Sequence, residues 1–371
     1  MRKVSFPHVG HAGIAFKSLL EDLGNKVVMP PVPTKRTLDL GVKYSPEFAC
    51  LPYKIVLGTY MELIEMGADT LLAFDSYGPC RFGHYSHLHF LNLKEMGYDV
   101  EVICFGYPKR EPIEFIKKLK KVSSHKSTIK CLSEFYRAFK KGWEKLKALD
   151  HMEKLSHRIR ARELTRGTTT KVYKQSQQWL DEAKTHSQIA EAKEAGIKAF
   201  NDIPIDPERE VLKVGLTGEI YVLLEPASNL EIEETLGHMG VEVERSMFLT
   251  GWTKDTLSNN ETQDHVSAIQ AAKPYLPYKI GGHARETIGH VVNYAKRRFD
   301  GVIQVAPFTC TPEIVARTIL NKVSTEHDIP VLTFFFDEQT AKAGILTRLE
   351  AFIDLLRRKR ASDKQQFTAV I

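Results

Sequence analysis

Residues 1–107 and 206–345 of this chain alternate short apolar strands with helices, and the stretch between them, 108–205, is basic and helix-rich. Such alternation favours a parallel sheet covered by helices on both faces. In the first stretch Lys3-Val-Ser-Phe-Pro, Asn25-Lys-Val-Val-Met-Pro, Thr70-Leu-Leu-Ala-Phe-Asp75 and Tyr98-Asp-Val-Glu-Val-Ile-Cys-Phe105 read as strands. Helices are expected from Ala12 to Leu23, from Ser45-Pro46 onward and from His84 to Met96. The middle stretch reads as helices Ile113–Lys121, Thr128–Met152, Leu155–Arg166 and Gln177–Phe200. Strands resume at Val211-Leu-Lys-Val-Gly-Leu216, Val241-Glu-Val-Glu-Arg, Gly301-Val-Ile-Gln-Val-Ala306 and Ile329–Phe336. Helices Asn229–Met239, Arg285–Arg298 and Pro312–Ser324 lie among them, and Thr347–Lys359 closes the series. The fold class is therefore α/β. Residues 1–107 form a first lobe, 108–205 a basic helical insert, 206–345 a second lobe, and 346–371 a C-terminal helix and tail.

A chain of 371 residues exceeds what one hydrophobic core usually organises. Its net charge of +6 conceals an asymmetry. Between Lys109 and Lys174 stand 20 Lys/Arg against 7 Asp/Glu, an excess of 13, so the rest carries −7. A solvated helical face is the first reading of that segment and docking of a redox partner the second. It carries no nucleic-acid fold signature, and Phe135, Tyr136, Phe139 and Trp143 read as one buried helix stripe. No apolar run approaches the roughly 18 residues of a membrane span. Met1-Arg-Lys-Val-Ser-Phe-Pro lacks the apolar centre of a secretion signal, so a cytoplasmic setting is expected and Asn260-Glu-Thr262 carries no glycosylation meaning. The chain contains neither G-x-x-x-x-G-K-[ST] nor a G-x-G-x-x-G after a strand, and Gly281-Gly282 and Gly78-Pro79 are too short to cradle phosphate. ATP chemistry, if used, belongs to a separate partner.

In a reducing compartment, cysteines serve as ligands, catalysts or core fillers rather than disulfides. Three of the five sit in turns marked by Pro or Gly: Cys50 in Phe48-Ala-Cys-Leu-Pro-Tyr-Lys54, Cys80 in Gly78-Pro-Cys-Arg-Phe-Gly83, and Cys310 in Pro307-Phe-Thr-Cys-Thr-Pro-Glu313. Spacing alone leaves three unrelated buried cysteines an equal reading, since no C-x-x-C is present. Position argues further. Cys80 and Cys310 each follow a strand and precede a helix, at the sheet edge where α/β folds bind ligands, and Cys50 lies at a helix start. Helix N-termini lower thiol pKa and favour anionic groups. Three thiolates would fill three corners of a tetrahedral or cubane site and leave one open. Cys104, inside an apolar strand, reads as core filler, and Cys131, in a basic helix, as an incidental surface residue.

The three turns resemble the cluster-binding turns of the 2-hydroxyacyl-CoA dehydratase family, in the activase-related branch that includes double-cubane iron–sulfur proteins. Thr34-Lys-Arg-Thr37, Gly41-Val-Lys-Tyr-Ser-Pro-Glu47, Gly218-Glu-Ile-Tyr221, Gly282-His-Ala-Arg-Glu286 and Asp337-Glu-Gln-Thr340 are similar to the same branch. The resemblance implies two flavodoxin-like doubly wound lobes with an iron–sulfur cluster between them. It also implies a separate ATP-hydrolysing activator, carrying its own cluster, that delivers single low-potential electrons. A double cubane would need about six thiolates, more than the five present. A single four-iron cluster held by Cys50, Cys80 and Cys310, with one open corner, is the expectation.

Around it, Glu219, Tyr221, His283 and Glu286 are candidate acid–base groups, because dehydration needs one group to take a proton and another to protonate the leaving hydroxyl. Helix caps and surface polars are their alternative reading. Arg81 and His84 neighbour Cys80 and could bond cluster sulfurs. His87 and His89 read as solvated helix residues, and Lys54 as electrostatic support or exposed. The expected activity is activator-driven reductive chemistry on a small molecule, such as 2-hydroxyacyl-CoA dehydration. Reduction of another small molecule, a non-catalytic electron carrier, and a structural zinc protein are the alternatives. Pairing with itself or with a related subunit is compatible with the family; no nucleic acid or membrane partner is expected.

Overall fold

A computed structural model describes residues 2–75, 80–125, 127–257 and 261–369. The chain divides into two compact units: Met1–Glu153 with Val172–Asn201 and Leu249–Asn260, and Lys154–Lys171 with Asp202–Phe248 and Glu261–Ile371. No helix among the described residues is long and apolar enough to cross a membrane.

The first unit holds a parallel sheet of β1 (Lys3–Ser5), β2 (Lys26–Val27), β3 (Thr70–Phe74) and β4 (Glu101–Phe105), ordered β2-β1-β3-β4. Its helices are α1 (Ala12–Asp22), α2 (Lys35–Tyr44), α3 (Leu51–Glu65), α4 (Tyr85–Glu95), α5 (Pro112–Val122), most of α6 (Thr128–Ile159), most of α7 (Thr168–Glu182) and α8 (His186–Asn201). Val4, Phe6, Leu20, Leu72, Ile103 and Leu119 form its core. Cys131 is fully buried in the same cluster, which corrects its reading as a surface residue. Every residue of α3 from Leu51 to Leu63 is buried, as expected of a helix apolar on all sides.

Several helices differ from the sequence expectation: the one expected over Gln177–Phe200 is two, α7 and α8, parted at 183–185, and α2 is unexpected. Ser45 closes α2 in extended conformation (φ −91, ψ 150) and opens no helix. The next helix starts at Leu51, with Pro52 in its first turn, where the missing N–H costs nothing. Helix α6 runs unbroken through Met152–Leu155, where neither Pro nor Gly interrupts it.

The second unit repeats the topology. Its parallel sheet contains β5 (Leu212–Gly218), β6 (Val241–Arg245), β7 (Gly301–Pro307) and β8 (Val331–Phe336) in the order β6-β5-β7-β8. The helices α9 (Ile220–Leu224), α10 (Ile232–His238), α12 (Gln263–Ala272), α13 (Ala284–Lys296), α14 (Thr311–Glu326) and α15 (Lys342–Ala369) accompany it, while α11 (Leu249–Leu257) belongs to the first unit. Strand β7 is buried along its whole length, as a central strand of a covered parallel sheet must be. The two-lobe doubly wound α/β expectation therefore holds. In both sheets the strand order reverses between the first and third strands, β1/β3 and β5/β7, which opens a crevice at their carboxyl ends.

At the first of these edges, just after β1, His11 is sunk among acids. Its Nε2 lies 2.8 Å from Asp150 Oδ1, and its Nδ1 lies 3.5 Å from Glu153 Oε1 and 3.2 Å from the Tyr173 hydroxyl. Asp150 also accepts the Thr250 amide at 3.1 Å and its hydroxyl at 2.5 Å. Burial alone would lower the His11 pKa, but Glu153 and Asp150 outweigh it and raise it from 6.5 to about 9. A raised folded-state pKa stabilises below the unfolded value, and that stability is lost as pH climbs through the folded one. The first unit should thus lose on the order of 3 kcal/mol between pH 6.5 and pH 9 through this group. Urea unfolding across that range checks it, with His11→Gln expected to flatten the dependence. An equal pH slope in the variant would remove His11 as the cause.

Candidate functional site

Cys50 and Cys80 occupy equivalent local positions. Cys50 is the N-cap of α3 (φ −70, ψ 160), and Cys80 is the N-cap of a short 3-10 helix, Arg81–His84. Gly78-Pro79 and Asn260 lie outside the described residues. Neither cysteine side chain caps its helix, so each thiol is left beside the partial positive charge of a helix start.

Tyr85 joins the turns. Its hydroxyl lies 2.9 Å from Cys50 Sγ and accepts the Cys50 N–H at 3.5 Å, and its ring lies 5.8 Å from that of Phe82. Arg81 Nη1 donates to the Phe48 carbonyl at 2.8 Å, tying the residue after Cys80 to the turn before Cys50. Burial, then the charge of Cys50, holds the Tyr85 hydroxyl above its ordinary range, so it remains a donor toward a thiolate. His84 and His87 are exposed.

His89 and Lys54 depart from expectation, since both are buried. The His89 ring stacks on Tyr53 at 4.1 Å and Nε2 donates to the Tyr53 carbonyl at 3.0 Å. Burial lowers its pKa to about 4, so it is a neutral core histidine. At the end of β3, Asp75 accepts from the Ser86 hydroxyl. Cys104, on β4, is half-buried; burial and then its bond to Asp75 push its thiol up to about 12.

The second unit collects the other candidates around the β5/β7 crevice. Gly218 ends β5 at φ +144, in a conformation closed to other residues. Glu219 then caps α9 by accepting the Val222 N–H at 3.0 Å, and its own N–H donates to Val305 at the end of β7 at 3.0 Å. Burial raises the Glu219 carboxyl to about 7. Tyr221 is buried in the same turn. His283 is the N-cap residue of α13 and Glu286 lies in that helix's first turn. Burial lowers the His283 pKa, partly opposed by the Glu286 charge. Cys310, 8% exposed, is the N-cap of α14, and its N–H donates to Pro307 at 3.1 Å.

Sequence reasoning missed the buried polar group behind Cys310. Glu313, 1% exposed, accepts Gln304 Nε2 at 2.9 Å and the Thr287 hydroxyl at 3.1 Å. Burial, then the charges of Glu219 and Glu286, raises its carboxyl to about 8 against the lowering pull of those two donors. A Glu in the first turn of a helix ordinarily reads as a charge facing the dipole, so only the unbroken apolar run around Gln304 could have hinted at burial.

The other matched stretches have structural work. Thr34 and Thr37 form a capping box on α2, and the Thr37 hydroxyl donates to Glu62 on α3 at 2.7 Å. In Asp337-Glu-Gln-Thr340 the Asp337 carboxylate accepts the Thr340 hydroxyl at 2.7 Å and the Gln339 N–H at 3.0 Å, closing the turn after β8.

The cysteine turns suit thiolate ligands one by one: each is pinned at a helix start, and Tyr85 is placed to donate to Cys50. Among the described residues, no group of three or more His, Cys, Asp or Glu side chains is assembled as a metal site. The chain matches the family described as 2-hydroxyglutaryl-CoA dehydratase, D-component, over residues 23–356, and it belongs to that family. It is thus a dehydratase-type component. No curated protein matches it.

Proposed function

We propose that this chain is the cluster-bearing component of a reductive 2-hydroxyacyl-CoA dehydratase system. The observation that carries the reading is the placement of Cys50, Cys80 and Cys310, each at the N-cap of a helix, in a chain of this family. These three would hold a single four-iron cluster, with the fourth corner left to a non-cysteine group. When bound, such a cluster would supply one low-potential electron to the substrate, received from a separate ATP-dependent activator. In this reading 1–107 and 206–345 are the cluster-holding lobes, 108–205 their basic insert, and 346–371 a terminal helix and tail.

The remaining chemistry falls to this chain's own side chains. The Tyr85 hydroxyl, 2.9 Å from Cys50 Sγ, would donate to its thiolate, while Arg81 and His84 flank Cys80. Glu219, pushed up to about 7 by burial, can hold or release a proton at neutral pH, the range in which a general acid–base group works best. His283, kept neutral by burial, and Glu286 complete the proton-handling groups, with Tyr221 buried in the turn that Glu219 opens.

Anaerobic purification followed by iron and zinc analysis tests the assignment. The wild-type chain should carry iron and absorb broadly in the visible, and Cys310→Ser should lose most of that iron. Zinc in place of iron would end this reading, and undiminished iron in the variant would remove Cys310 from the ligand set. Turnover with activator and ATP then separates an enzyme from a non-catalytic electron carrier.

A further inference from the structure

We infer that Glu313, clamped by Gln304 and Thr287, is a positioning residue that fixes the Cys310 turn for ligation; this rests on the proposed cluster reading. The clamp ties three elements together. Gln304 belongs to β7, Thr287 to α13, and Glu313 to the first turn of α14, three residues after Cys310. All three side chains are buried: Gln304 and Thr287 are at 0% exposure and Glu313 at 1%. Gln304 Nε2 donates to both the backbone carbonyl of Glu313 (3.0 Å) and its carboxyl (2.9 Å). A carbonyl only accepts, so the amide orientation is fixed, and Gln304 Oε1 accepts the Thr333 hydroxyl from β8 at 2.9 Å. The Thr287 hydroxyl lies 3.1 Å from both carboxyl oxygens.

This arrangement differs from that of Glu233, another buried acid of the same unit. Glu233 meets the buried Arg245 guanidinium at 3.0 Å, a charge paired with a charge. Glu313 bonds two neutral donors, and among the described residues no cation pairs with it. With no cation beside it, burial disfavours the charged carboxylate, and the group fastens through hydrogen bonds rather than balancing a charge. Burial pushing it up to about 8 agrees with that.

The turn it fastens is strained. Thr309, just before Cys310, has φ +69, a conformation rare for a β-branched residue and maintained only where the surroundings over-determine it. Pro312 supplies a second brace, because a Cβ on Gly282 would come within 2.7 Å of its ring. Strain at the residue preceding a candidate ligand, held by a buried three-element clamp, gives the Cys310 thiol a fixed direction.

The test follows iron release to a chelator from anaerobically purified, full-length protein, with the reduced-cluster electron paramagnetic resonance spectrum as a second readout. Glu313→Ala and Thr287→Val should release iron about tenfold faster than wild type, the scale seen when the supports of metal ligands are removed. Glu313→Gln, which preserves shape and acceptor, should restore the wild-type rate and spectrum. Wild-type release rates in both Glu313→Ala and Thr287→Val would overturn the inference. So would Glu313→Gln releasing iron as fast as the weaker-bound variants. If Glu313→Ala does not fold, Thr287→Val and Glu313→Gln decide the matter alone. A wild-type chain without iron would instead defeat the cluster reading on which this rests.

Discussion

Gly58→Ala should destabilise the first unit by about 4 kcal/mol or more, although alanine is intrinsically the better helix former by about 1 kcal/mol. The reason is the crossing of α2 and α3, where backbone meets backbone. A Cβ on Gly58 would stand 1.8 Å from the Thr37 carbonyl oxygen and 3.1 Å from the Gly41 nitrogen. The contact is reciprocal: a Cβ on Gly41 would stand 1.7 Å from the Lys54 carbonyl oxygen. No side-chain rotation relieves either clash, so the helices must separate. Separation would also break the Thr37–Glu62 bond (2.7 Å) and the Arg36–Glu62 ion pair (2.9 Å). Because Cys50 is the residue at which α3 starts, the thiol would move with the helix. Urea unfolding of the variant measures the loss, and a change within about 1 kcal/mol would mean the helices can part at little cost.

Gly218→Ala should be comparably damaging in the second unit, through two effects that can be separated. Its φ of +144 strains any residue with a Cβ, and that Cβ would lie 1.8 Å from the Val305 carbonyl oxygen on the neighbouring strand. Conformational strain alone is worth about 1–2 kcal/mol, and forcing β5 away from β7 brings the total to about 4 kcal/mol. It also breaks the Glu219 N–H bond to Val305 (3.0 Å), displacing the carboxyl that borders the crevice. Gly240 is the control. It has φ +79, and a methyl group there would meet nothing within 4 Å, so Gly240→Ala should cost only about 1 kcal/mol. Thermal or urea unfolding of the two variants side by side decides. Equal losses would show that strain, not strand contact, dominates at Gly218.

How much of this is legible in the chain depends on what each element uses to bury itself. The strands of both lobes announce themselves as apolar runs, and β7 is buried along its length as its composition demands. Helix α2 does not announce itself, because its buried residues are Thr37 and Gly41 rather than an apolar stripe. It packs by close backbone approach and a capping box, which leave no hydrophobic period to read. His89 reads as solvated from its residue type alone, whereas Tyr53 and Tyr60 cover it from another helix. Glu313 escapes notice for a similar reason, since both its donors lie on other elements, nine and 26 residues away.

By itself the sequence determined two parallel α/β lobes, the cysteine turns at their helix starts, and the family to which the chain belongs. These are local properties: strand period, helix punctuation and short motifs are written in consecutive residues. Tertiary structure alone decided that Tyr85 reaches Cys50, that Arg81 fastens onto the Cys50 turn, that His11 is charged among buried acids, and that Glu313 is clamped behind Cys310. Each of these depends on desolvation and on partners distant in sequence, and neither quantity exists until the chain has folded.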